Sequence, residues 1–376
     1  MSDENIRMAI LDDGVCPKAC PLMGSFLIDD DLSVSSQKKD AVSQYSHGSI
    51  CAHIIQQCIG LDKVDVFSIQ ILQRDTLRGN IGRLLKALEL CVSMDIRLVH
   101  LSVGTYAYED FAKIKKAVEH LLDSDSFLVA AAGNRGTVTY PAYLPGVIGV
   151  KCHPKLMGDE YIYCYDSFTK IHFQASARHK LTVEGQEMET SISNSYATPV
   201  VTAKLISCLK KNNDLGKNDI LRLLVENAKK NVLVGSSEPS PYPSVEIPVV
   251  VLTGFSIARL SRLMELLMDC LHRDDYHVRS ATNLPGIRPW DETVLLGLED
   301  LDVFTARMAW YFSCEIILLG SMSCIPSDKC KNASLWIYGE ESDDIREINT
   351  LVDGQIIWAE GVEDVKVYKL MIDMLT

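Results

Sequence analysis

Three residues far apart in the chain have the types that acyl transfer needs: a hydroxyl nucleophile, a base that works near neutral pH, and a carboxylate to orient it. The hydroxyl is Ser195, in the stretch Ser193-Asn194-Ser195-Tyr196-Ala197-Thr198-Pro199. Ala197, Val200, Val201, Ala203, Leu205, Ile206 and Leu209 predict a helix here, with Pro199 in its first turn, where the missing N–H is tolerated. A serine at that point faces free backbone N–H groups and the positive end of the helix dipole, where negative charge is welcome. Taken alone, it also fits an ordinary helix cap. His47, in Ser46-His47-Gly48-Ser49, opens a second predicted helix marked by Ile50, Ala52, Ile54, Ile55 and Ile59. Asp12 follows the apolar run Arg7-Met8-Ala9-Ile10-Leu11, which reads as a buried strand delivering a carboxylate at its C-terminal end. Asp12-Asp13-Gly14 reads equally as a turn.

The elements that must position these groups alternate along the chain. Strands are predicted at 64–71, 96–104, 127–134 and 146–150, with helices over 79–94 and 109–123 between them. Residues 15–44 read as irregular, and 160–192 as short antiparallel β structure leading to Ser195. A helix from Asn218 to about Lys229 closes this half. The alternation predicts an α/β fold built on a doubly wound parallel sheet, in which ligands gather at the C-terminal ends of the strands. A stretch rich in Pro and Ser at 235–246 reads as a linker between a first domain, 1–234, and a smaller α/β domain, 247–376. Strands in the second domain are predicted at 248–254, 315–319, 334–338 and 355–358, with helices ending near Leu271 and spanning about 362–375. Gly254-Phe255-Ser256-Ile257-Ala258-Arg259-Leu260-Ser261 stands where a phosphate loop would. It lacks the second glycine and the lysine of a Walker A sequence, which argues against nucleotide binding.

Composition narrows the function. The 376 residues are 47% hydrophobic and 23% charged, and a net charge of -13 argues against nucleic acid as a partner. The N-terminus has no basic segment followed by an apolar run, so no secretory signal is expected, and no run approaches the ~20 apolar residues of a membrane span. Twelve cysteines, several inside apolar runs, fit reduced buried thiols in a cytoplasmic protein. Neither Cys16/Cys20 nor Cys324/Cys330 has zinc-site spacing, and no metal or other cofactor is expected.

Asp12, His47 and Ser195 occur in the order Asp, His, Ser, the order of the subtilisin version of the triad. Asp12-Asp13-Gly14 resembles the Asp-Ser/Thr-Gly motif of the subtilisin-like serine proteases, Ser46-His47-Gly48-Ser49 their His-Gly-Thr motif, and Ser193–Pro199 their Gly-Thr-Ser-Met-Ala-Thr-Pro motif. Val99-His100-Leu101-Ser102-Val103-Gly104 resembles the family's substrate-binding strand. Val129-Ala130-Ala131-Ala132-Gly133-Asn134, followed by Tyr140-Pro141-Ala142, resembles the strand that ends in the oxyanion-hole asparagine.

The resemblance implies a serine endopeptidase with Ser195 as nucleophile, His47 as general base, Asp12 as its orienting partner and Asn134 as oxyanion donor. It also implies a peptide substrate lying along Ser102, Val103 and Gly104. Small residues at Ala131, Ala132 and Gly133 would leave room for a substrate side chain, or else serve tight packing. Ser193 and Asn194 replace the family's glycine and threonine, and Asp13 adds a second carboxylate that either perturbs His47 or faces solvent. With Asp12 so near the start of the chain, no propeptide is expected. As a cytoplasmic type with an extra domain, the chain resembles the proteases that trim leaders from ribosomally made, modified peptides. This resemblance implies a precursor-peptide substrate and a partner, such as the modifying enzyme, for the second domain. A catalytically silent peptide-binding or accessory protein is the alternative.

Overall fold

The computed structural model describes residues 5–37, 42–74, 76–134, 136–166, 168–212, 215–229, 242, 245–284, 293–296, 300–323, 325, 329–339 and 355–375. The chain divides into two compact units, Met1–Gly235 and Ser236–Thr376. Apart from positions 242, 245 and 246, the stretch read as a linker lies outside the described residues.

The first unit is built on a nine-stranded sheet: β1 (Ile6–Asp12), β2 (Gly24–Ile28), β3 (Val34–Ser36), β4 (Val64–Gln70), β5 (Leu98–Leu101), β6 (Phe127–Ala131), β7 (Ile148–Cys152), β8 (Tyr161–Tyr163) and β9 (Phe173–Ala175). Their spatial order is β3-β2-β4-β1-β5-β6-β7-β9-β8. The strands from β2 to β9 in that order pair in parallel, while β3 and β8 run antiparallel at the two edges. The apolar runs that predicted strands are buried on both faces, as a sheet covered by helices on both sides requires. The region read as irregular, 15–44, contains β2 and β3. Neither announces itself: β3, a three-residue edge strand, is exposed at every position, and β2 beside it is fully buried only at Ile28. The 160–192 segment holds two antiparallel pairs as expected, β8 with β9 and β10 (Lys180–Val183) with β11 (Gln186–Glu189), but β9 also joins the main sheet in parallel beside β7.

Helices α1 (His47–Ile59), α2 (Ile81–Ser93), α3 (Phe111–Asp123), α4 (Asn194–Lys211) and α5 (Lys217–Glu226) cover the sheet. α4 is apolar nearly all round, and twelve of its eighteen residues are buried, which makes it an interior helix. Inside it Thr198 and Thr202 satisfy their hydroxyls on the carbonyls of Asn194 and Thr198, at 2.8 and 3.1 Å. Because β1, β5 and β6 are parallel neighbours, Asp12, Ser102 and the 131–133 segment emerge at the same edge of the sheet. The N-termini of α1 and α4 come to that edge as well.

The second unit carries a six-stranded, wholly parallel sheet of order β14-β13-β15-β12-β16-β17. Its strands are β12 (Val249–Thr253), β13 (Val278–Thr282), β14 (Thr293–Leu295), β15 (Ile316–Gly320), β16 (Leu335–Tyr338) and β17 (Gln355–Trp358), with helices α6 (Ile257–Arg273), α7 (Leu301–Phe312) and α8 (Asp364–Leu375). β13 escaped the sequence because its Val-Arg-Ser-Ala-Thr run is mostly polar, yet Arg279 is fully buried with its guanidinium 5.1 Å from the Phe312 ring. At the turn that resembles a phosphate loop, Phe255 is buried, and Arg259 donates to the carbonyls of Ala359 and Val362 and pairs with Asp364. The cation beside this turn is therefore committed to tying α6 to the chain before α8 and to the first residue of α8.

Gly48 shows how closely α1 must approach β1. A Cβ there would lie 2.6 Å from the Gly14 carbonyl oxygen and 3.0 Å from Asp12 Cβ. Gly14 itself turns the chain at φ +103°. Gly48→Ala is expected to force α1 away from Asp12 and to cost about 1–3 kcal/mol. Urea unfolding, with Gly82→Ala at the matching second position of α2 as a control, measures the difference.

Candidate active site

The site begins where α1 meets the end of β1. Asp12 is fully buried and its Oδ2 lies 2.8 Å from His47 Nδ1, while its Oδ1 accepts the Asp13 N–H at 2.9 Å. Burial alone would raise the Asp12 carboxyl, but the charge and hydrogen bond of His47 and the Asp13 N–H outweigh it and hold Asp12 below the usual carboxylate range. For His47 burial opposes the charged form, yet Asp12 and Asp13 prevail and raise its pKa.

Asp13 does not face solvent. It is buried, and its two oxygens accept the first N–H groups of α1, from His47 at 3.0 Å and from Gly48 at 2.8 Å. Burial, with the neighbouring Asp12 charge, raises its pKa. Of the two readings of this extra carboxylate, the one in which it perturbs His47 fits.

Nine of the ten residues singled out from the sequence line one cleft of about 220 Å³: His47, Ser102, Val103, Gly104, Ala131, Ala132, Gly133, Asn134 and Ser195. Asp12, the tenth, lies behind His47. Leu72, Leu77, Tyr106 and Thr139 complete the walls, and no motif flagged them. At Gly133 the expected space is filled from within: a Cβ there would lie 2.6 Å from Thr139 Cγ2 and 2.9 Å from Tyr106 Oη, and its N–H donates to Thr139 Oγ1 at 2.9 Å. That arrangement fits the tight-packing reading at this residue, which also lines the cleft. The Tyr196 ring lies against His47, centroids 5.2 Å apart.

His100 sits beneath the cleft, fully buried between Thr202 Oγ1 at 2.8 Å and Ser102 Oγ at 2.7 Å. Burial pushes its pKa down to about 4, so it stays neutral and leaves His47 as the imidazole that answers Asp12. Among the described residues, the ligand atoms of Asp12, His47 and Cys51 lie within 4.8 Å of one another. Burial drives the Cys51 thiol well above its ordinary value, and His47 Nδ1 is engaged by Asp12 Oδ2 at 2.8 Å.

The residues before Ser195 make the densest network. Asn194 is buried; its Nδ2 donates to the carbonyls of Ala132 and Gly133 at 3.0 and 2.9 Å, and its Oδ1 accepts the Cys152 N–H at 2.8 Å. One side chain thus binds the ends of β6 and β7 to the start of α4. Asn134 Oδ1 accepts the Asn194 N–H at 2.9 Å, which aims its Nδ2 at Ser193 Oγ, 3.3 Å away. Ser193 Oγ also accepts the Ser195 N–H at 3.3 Å and lies 2.6 Å from Ser195 Oγ. Ser195 Oγ bonds to Ser193 in this state, and not to His47.

Residues 3–241 match the subtilase family. The chain belongs to the subtilase family. Members are serine endopeptidases, hydrolases of the peptide bond, and this subtilase keeps their α/β fold. Its structure is similar to that of a psychrophilic protease (16% identity, 62% of this chain and 85% of that one, TM-score 0.49). It is similar also to a lanthipeptide protease (15%, 60% and 81%, 0.45) and to the epidermin leader peptide processing serine protease of Staphylococcus aureus (15%, 62% and 73%, 0.47). Among curated proteins no relative matches the chain. Among the described residues of this subtilase no helix is long and apolar enough to cross a membrane.

The Asn194 clamp carries its own prediction. Asn194→Ala strands two carbonyls and one N–H at the junction of β6, β7 and α4, and is expected to destabilise the first unit by about 1–3 kcal/mol. Hydrogen exchange should show the loss as faster exchange of the Cys152 amide.

Proposed function

We propose that this subtilase cleaves peptide bonds through an acyl-enzyme on Ser195, with His47 as base, Asp12 as its orienting partner, and Asn134 Nδ2 with the Ser195 N–H as oxyanion donors. The observation that carries the reading is the 2.8 Å Asp12–His47 hydrogen bond beside a cleft that also holds Ser195 and Asn134. With Asp12 on Nδ1, the imidazole keeps its proton there and offers Nε2 as the acceptor. The Ser195 proton passes to Nε2 as Oγ bonds to the substrate carbonyl carbon, whose π pair moves onto oxygen. Collapse of that oxyanion breaks the C–N bond, and the imidazolium returns the proton to the leaving amine. Water then repeats the sequence on the acyl ester.

An extended peptide along Ser102, Val103 and Gly104 would be held by main-chain hydrogen bonds. The narrower proposal is removal of a leader from a precursor peptide; the small cleft, with Tyr106 and Thr139 packed beside Gly133, supports restricted access. Mass spectrometry of the precursor after incubation tests that narrower reading. A silent peptide-binding protein is the second reading, favoured by the bond of Ser195 Oγ to Ser193. Cleavage that disappears in His47→Ala disposes of it.

A fluorophosphonate probe is expected to label wild type and not Ser195→Ala; an unlabelled, folded wild type defeats the proposal. Asn134→Ala should lower kcat by about 10²–10³-fold. Because Asp12 and Asp13 favour the imidazolium, His47 becomes an active base only at a pH above the ordinary imidazole value. The pH profile of kcat/KM should therefore rise with a midpoint above that value. Asp12→Asn should shift the midpoint down and cost on the order of 10⁴-fold in kcat.

A further inference from the structure

Ser193 stands where the resemblance has glycine, and its backbone, at φ −150° and ψ 146°, is extended and needs no glycine. Its hydroxyl is therefore an addition to the site. It has three neighbours: Asn134 Nδ2 and the Ser195 N–H, each at 3.3 Å, and Ser195 Oγ at 2.6 Å. A hydroxyl accepts two hydrogen bonds and donates one. With both N–H groups donating to Ser193, its proton is left to point at Ser195 Oγ. The two groups assigned above to receive an oxyanion are thus both engaged by Ser193, and so is a lone pair of the nucleophile.

We propose that the Ser193 hydroxyl is a built-in occupant of the oxyanion position, which a substrate must displace by rotating the Ser193 side chain before Ser195 can attack. The inference rests on the serine-protease reading above. It makes Ser193 a specificity-determining residue. Displacement exchanges two N–H···O contacts from the Ser193 hydroxyl to the substrate carbonyl and releases the Ser195 lone pair. A long peptide supplies the work of rotation from its contacts along the cleft; a short ester or a small probe has little remote binding energy to contribute. Ser193 would then hold the enzyme back on short substrates while allowing it to act on a fully bound chain.

Ser193 also caps α4 through the same oxygen, so a purely structural role has to be separated from this one. Two variants do so. Ser193→Gly restores the residue of the resemblance and Ser193→Ala removes the hydroxyl alone. A cap residue predicts lower melting temperatures and no gain in rate for either. The proposal predicts that both variants react faster than wild type with a small fluorophosphonate, by about 10-fold, the scale of exchanging one or two neutral hydrogen bonds. The gain should shrink on a long peptide, so that the ratio of kcat/KM for short ester to long peptide rises in both variants.

Equal or slower labelling of both variants, with all three proteins labelled, overturns this inference and leaves the protease reading standing. A gain that is the same on short and long substrates overturns the specificity role. Absence of labelling in all three folded proteins, checked by circular dichroism, overturns both readings together.

Discussion

The site depends on two adjacent carboxylates buried at the end of β1 against the first turn of α1. Two charges side by side in the interior are costly unless each finds its own compensation. Asp12 finds it in His47 and the Asp13 N–H; Asp13 finds it in the first two N–H groups of a helix whose dipole presents positive charge there. The outcome is a division of roles between neighbours, Asp12 held in its ionised form and Asp13 raised. The same helix start carries His47, so the junction fixes the imidazole in place while setting its basicity. Gly48 is what lets the helix come close enough, since a side chain there would meet the Gly14 carbonyl.

A second junction, at the start of α4, answers the first. Asn194 replaces a small hydroxyl residue of the resemblance with a longer amide, and the extra reach joins the last N–H of β7 and two carbonyls just beyond β6 to the helix that carries Ser195. Asn134 is oriented from the same place, because its oxygen is held by the Asn194 N–H. The departures from the family pattern at 193 and 194 therefore act differently. Asn194 tightens the frame of the cleft, and Ser193 adds a polar group inside it.

The second unit shows the limits of local resemblance. Its strand–turn–helix at Gly254 has the place of a phosphate loop, but Phe255 is buried in the turn and Arg259 is bound to backbone carbonyls and to Asp364. The turn carries no lysine, and its arginine ties α6 to the chain before α8 and to the first residue of α8.

The sequence alone determined the residue types and their order: Asp12, His47 and Ser195, the strand-helix alternation, and the helix starts that carry two of the three. These are legible because a strand's apolar run and a helix's cap are properties of neighbours in the chain. The tertiary structure decided what depends on distant residues. The edge strand β3, its neighbour β2 and the polar β13 are strands because of the partners beside them. Whether Asp13 met solvent or helix N–H groups rested on the approach of α1, 34 residues away. The Asn194 clamp and the Ser193 hydroxyl were present in the sequence only as mismatches to a motif. Their meaning comes from Asn134, Ala132 and Cys152, which the sheet brings to the start of α4 from 42 to 62 positions away. Local pattern named the reacting groups, and burial and hydrogen bonding across the sheet decided how each is held.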